Sequence, residues 1–81
     1  MNTYTYYFRS QPDPKKDMPE KMLSMEVHRK PEYNHLTRCD VYGKAVFLRP
    51  LSLDEQIACY LVPDPRNHFA AMMKDERREI V

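Results

Sequence analysis

Residues Pro50 to Val62 read Pro-Leu-Ser-Leu-Asp-Glu-Gln-Ile-Ala-Cys-Tyr-Leu-Val, and the rest of the chain is arranged around this stretch. Ser52 followed three residues later by Glu55 is a capping box. The serine hydroxyl can accept from the Glu55 N–H, and the glutamate can reach back to the Ser52 N–H. Asp54 and Glu55 place negative charge in the first turn, where the helix dipole favours it. Leu53, Ile57, Tyr60 and Leu61 recur at helical spacing and predict one apolar face to press on something. A hydrophobic staple is missing, because Leu51 suits the role but its usual partner position holds Gln56.

Upstream, residues 3–9 are β-branched or aromatic nearly throughout and read as a strand. Tyr4, Tyr6 and Phe8 share one face, and Thr3, Thr5, Tyr7 and Arg9 the other. It is a candidate sheet edge, open to strand addition. Residues 10–20 carry Pro12, Pro14 and Pro19 among Asp13, Lys15, Lys16 and Asp17, which predicts an exposed loop. Residues 21–30 alternate Leu23, Met25 and Val27 with Ser24, Glu26 and His28, a strand pattern. A helix carrying Met18, Met22 and Met25 is the weaker alternative, since it would turn Leu23 and Val27 away from that stripe. Pro31 to Asn34 reads as a turn. His35–Tyr42 and Lys44–Arg49 read as a hairpin, with Gly43 in its turn or in an adjoining bulge. Ala45 to Leu48 is apolar on both faces, as in a central or covered strand.

Downstream, Asp64 is placed to cap a second helix with Pro65 at its first position, and Phe69, Met72 and Met73 give it a short apolar stripe. Lys74 opposite Arg78 and Asp75 opposite Glu79 are like-charged at the i,i+4 spacing, so residues 74–81 should fray unless they dock. The expected fold is a single α+β domain over residues 1–81, with a small antiparallel sheet of three to four strands followed by two short C-terminal helices.

Composition narrows function mainly by exclusion. Thirteen Lys and Arg against twelve Asp and Glu leave a net charge of +1, which argues against binding driven by a bulk positive field. With Gly43 as the single glycine, no glycine-rich phosphate loop or dinucleotide fingerprint can form. No apolar run is long enough to span a bilayer and no signal-peptide core follows Met1, so a cytoplasmic, membrane-free protein is expected. Two cysteines are too few for a disulfide scaffold.

His28, His35, Cys39, Cys59 and His68 are possible metal ligands, but only His35-x3-Cys39 comes near a ligand spacing, so neither metal nor cofactor is expected. A thiol nucleophile would need a base and an orienting group beside Cys39 or Cys59, and no spacing suggests one. The chain therefore reads as non-enzymatic. Six tyrosines and six methionines are the oddity, and tyrosine, methionine and arginine are enriched in buried interfaces.

The expectation is a protein-binding module, a stoichiometric inhibitor or adaptor of another protein. In size and composition it follows the style of accessory proteins of phages or mobile elements. Tyr4, Tyr6, Tyr7, Met72, Met73, Arg77 and Arg78 are the expected contact residues. The alternative is a nucleic-acid-binding regulator that uses Tyr7, Arg29, Lys30 and Arg38. A core this small also suggests self-association, and a homodimer through edge strands is expected.

Overall fold

The computed structural model of the chain describes residues 2–13 and 15–67. Strands β1 (Tyr4–Phe8), β2 (Met22–Asn34) and β3 (Cys39–Phe47) are followed by helix α1 (Leu53–Ala58) and strand β4 (Leu61–Pro63). The four strands form one antiparallel sheet in the order β2-β3-β1-β4. The described fold is mostly sheet with one short helix, so the label α+β fits it only loosely.

β1 lies inside the sheet, which overturns its expected role as an edge. Tyr6 and Phe8 are fully buried on one face with Ala45, Phe47, Leu51, Cys59 and Leu61. Tyr6 meets Phe47 edge-on at 5.8 Å between ring centroids. Tyr7 is buried on the opposite face, where its hydroxyl donates to Asp64 Oδ2 at 2.8 Å. Its backbone pairs with β3 on one side and β4 on the other, and its aromatic rings are buried on both faces. The edges are instead β2 and β4.

Met22 to Lys30 is strand, as its alternation predicts. The strand runs on through Pro31 to Asn34, so the turn expected at Pro31–Asn34 is a correction. Val27 pairs with Gly43 and Glu32 with Val41, leaving residues 28–31 as a bulge opposite Tyr42. A bulge is where a proline can sit in a strand without breaking a ladder bond. The reversal comes at residues 35–38. There Asn34 Oδ1 accepts from the N–H groups of Leu36 (3.0 Å) and Thr37 (2.9 Å), and Arg38 takes the left-handed φ of 58°.

Gly43 therefore lies within β3 and not in a hairpin turn. Its φ is +139°, and a Cβ there would lie 1.9 Å from the Glu26 carbonyl oxygen and 2.9 Å from the Val27 Cα. Both obstacles are backbone on the partner strand, so nothing can swing aside.

The second C-terminal helix is also a correction. β4 follows α1, and Pro65 and Arg66 form a turn. Asp64 bonds the Arg66 N–H at 2.7 Å as a cap would. Its Oδ2, however, receives the Tyr7 hydroxyl and the Arg66 guanidinium, and its own N–H donates to the Thr5 carbonyl at 2.9 Å. Asn67 then returns to the same residue, accepting from the Thr5 N–H and donating to the Thr5 carbonyl, both at 2.8 Å. These bonds tie the turn at residues 64–67 to Thr5 and Tyr7 of β1. The expected stripe of Phe69, Met72 and Met73 and the charged segment 74–81 lie outside the described residues.

Two predictions follow from these contacts. Gly43→Ala should lower the unfolding free energy by more than about 2 kcal/mol, read as a lower urea midpoint at unchanged slope. The Arg66 guanidinium holds the Asp64 carboxyl at about 2, below the ordinary carboxylate range and against the cost of its burial. The unfolded chain therefore binds the extra proton in acid. The stabilisation from Asp64 is complete above about pH 5 and disappears as pH falls through about 4 toward about 2. Urea titrations from neutral to acid pH should show this loss, and Asp64→Asn should lower stability at neutral pH and flatten the acid limb.

Candidate docking groove beside helix α1

α1 has six residues and buries none of them. Leu53 is 69% exposed, Ile57 65% and Tyr60 51%, so the predicted apolar face turns outward and does not meet the core. The residues that enter the core flank the helix: Leu51 before it, Cys59 and Leu61 after it. Leu61 is the first residue of β4 and not part of the helical stripe. The helix is held by its ends.

Polar contacts account for that arrangement. The capping box is complete, with Glu55 N–H to Ser52 Oγ at 3.2 Å and Ser52 N–H to Glu55 Oε1 at 2.9 Å. Arg49 grips the Glu55 carboxylate with both terminal nitrogens, at 2.9 and 2.6 Å. Arg49 thereby holds the Glu55 carboxyl at about 2, with the Ser52 N–H adding to the effect. Gln56, which stands where a staple would put an apolar partner for Leu51, donates its amide to the Leu51 carbonyl at 3.0 Å. At the other end α1 has no basic residue in its last turn. Lys16, from the proline-rich loop, supplies one by donating to the Ala58 carbonyl, with its ammonium 5.7 Å from the Tyr60 ring centroid.

Tyr60 follows the helix cap with φ 57°, in the left-handed region usually given to glycine. A bulky aromatic residue there costs on the order of 1 kcal/mol. The strained backbone leaves the ring half in solvent at the lip of an open groove of about 600 Å³. It is lined by Leu53, Ile57 and Tyr60 together with Leu61, Val62 and Pro63 of β4. Among the described residues Arg9 is its one charged lining residue. Those residues bring no acid, base or nucleophile set together in the groove, and what they offer is apolar contact area.

The expected contact residues do not gather here. Tyr6 and Tyr7 are buried and Tyr4 is half-buried against the core, so the first two belong to the fold and offer no surface. Met72, Met73, Arg77 and Arg78 lie outside the described residues. Of the residues considered for nucleic acid, Tyr7 cannot stack on a base from inside the sheet. Arg29, Lys30 and Arg38 are exposed, the first two with Glu26 and Glu32 on the same strand.

Of the potential metal ligands, His68 lies outside the described residues, and no three of the other four are grouped. Cys59 is buried in the core, Cys39 donates to Thr37 Oγ1 at 3.4 Å, and His35 packs edge-on against Tyr33. His28 lies 3.2 Å from Glu26 and 3.9 Å from Glu32 in a smaller concavity behind the sheet. Among the described residues no three His, Cys, Asp or Glu side chains are grouped to hold a metal ion, and no helix is long and apolar enough to cross a membrane.

Leu53 and Ile57 are legible in the sequence as a pair, but their spacing does not say what they press on. The missing staple was the available signal, since it shows that Leu51 is anchored without help from the helix face. Replacing either residue by serine should change the unfolding free energy by less than about 0.5 kcal/mol, because no buried contact is lost. Tyr60→Gly should raise it by roughly 0.5–1 kcal/mol by relieving the left-handed strain. Urea midpoints of the three variants measure both effects. Comparison with protein families, with curated proteins and with solved structures finds no match to this chain.

Proposed function

We propose that the protein is a non-enzymatic binding module that docks another protein in the groove between α1 and β4 and acts as a stoichiometric inhibitor or adaptor. The observation that carries this reading is a helix with no buried residue, whose Leu53 and Ile57 are turned to solvent together with Tyr60 just beyond its cap. Isolated exposed apolar residues are ordinary on protein surfaces. A contiguous row beside a concavity, on an element clamped by its ends, is the arrangement of an interface core with a polar rim. The strained Tyr60 supports the same reading, because local strain persists where a side chain is needed in one position.

The nucleic-acid alternative loses support. It relied on Tyr7 stacking on a base, and that ring is inside the sheet.

Affinity capture of the tagged protein from a host lysate, with and without nuclease, tests the proposal when variants are run in parallel. The expected result is one near-stoichiometric protein that survives nuclease, is lost with Ile57→Asp and is kept with Leu36→Asp, a substitution in the distant β2–β3 turn. Recovery that disappears with nuclease, or that ignores Ile57→Asp, would contradict it.

A further inference from the structure

The groove also constrains the chemistry of what enters it. Arg9 leaves β1 at the groove rim, its backbone N–H fixed to the Tyr60 carbonyl at 2.8 Å. Among the described residues its guanidinium makes no hydrogen bond or ion pair, whereas Arg49 and Arg66 are each matched to a carboxylate. The side chain is exposed, so the unpaired cation carries no penalty in the free protein. A docked apolar surface changes that, because covering the rim strips water from a charge with no partner in the groove.

A second copy of this chain cannot provide that partner by docking groove to groove. A two-fold contact places the same patch on both sides. Among the described residues no acidic one lines this groove, so such a contact would bring together two guanidiniums and, from those residues, no carboxylate. The occupant must carry its own counter-charge.

We infer that the groove binds a segment of a different protein in which large aliphatic or aromatic residues lie beside an aspartate or glutamate. The apolar anchors pack on Leu53, Ile57 and Tyr60, and the carboxylate takes the Arg9 guanidinium in the paired geometry that arginine favours. The mode of entry is side-chain insertion, with little strand addition. β4 is three residues long and ends in Pro63, which has no N–H to give an added strand.

This inference rests on the α1–β4 groove being the docking surface, and the test separates the two. The full chain is used to select binders from a library of random linear peptides. One selected peptide is then measured by fluorescence polarisation against the wild type, Arg9→Glu and Ile57→Asp. The expected peptides combine apolar residues with an adjacent Asp or Glu. Arg9→Glu should weaken the chosen peptide about tenfold or more, and exchanging that peptide's acid for lysine should restore its binding to Arg9→Glu.

Peptides that need Ile57 but bind Arg9→Glu equally well would overturn the acidic requirement and leave the groove as the docking surface. Peptides indifferent to both substitutions, or no selected peptides at all, would overturn both.

Discussion

The hydroxyl of Tyr6 is the polar contact on which the rest of the structure depends. Its ring is wholly inside the core, packed edge-on against Phe47, and a buried hydroxyl must find a partner. It accepts from the Leu51 N–H at 2.8 Å. That bond ties the central strand to the residue just before the helix cap, 45 positions later in the chain. Leu51 is drawn into the core with its backbone satisfied, and Ser52 is left at the surface to begin α1. Cys59 and Leu61 enter the core on the far side. With both flanks buried, a six-residue helix has no slack to roll its own face inward.

The energetic consequence is unusual for so small a domain. Burying a leucine or isoleucine side chain contributes roughly 1.5–3 kcal/mol, and Leu53 and Ile57 forgo most of it. α1 is held instead by the capping box, the Arg49–Glu55 pair, the Gln56 amide and the Lys16 ammonium. Each is a surface or near-surface contact of modest net strength. Tyr60 adds strain to the same corner. Apolar area left out, polar clamps in its place and a strained aromatic residue all fall on one groove. A fold selected only for stability would resolve that conflict, and a fold selected to hold an apolar face outward would keep it.

Much of the local structure was legible in the sequence. The alternation of residues 3–9 gave β1, Ser52 and Glu55 gave the start of α1, and Leu23, Met25 and Val27 gave the first half of β2. What failed was whatever depended on partners far along the chain. Gly43 signalled a backbone position closed to other residues, but a turn and a bulge make the same demand, and only the register with Glu26 and Val27 distinguishes them. Asp64 and Pro65 form a sound local helix start, yet Tyr7 and Thr5, nearly sixty residues away, claim the same groups. Tyr6 and Tyr7 looked like surface aromatics because alternation gives two faces without saying that both are covered. The candidate site failed for the same reason: a 3.6-residue stripe on fewer than two turns does not show which way it points, and the flanking Leu51 and Leu61 settle that through the sheet.

The most direct measurement is methyl NMR of the full chain with a soluble paramagnetic co-solute, which broadens signals in proportion to their exposure. An α1 held by its ends predicts strong broadening at the methyls of Leu53 and Ile57 and protection at those of Leu51 and Leu61. Protected Leu53 and Ile57 methyls in the isolated monomer would contradict it, because the helix face would then be packed and no groove would stand open beside it.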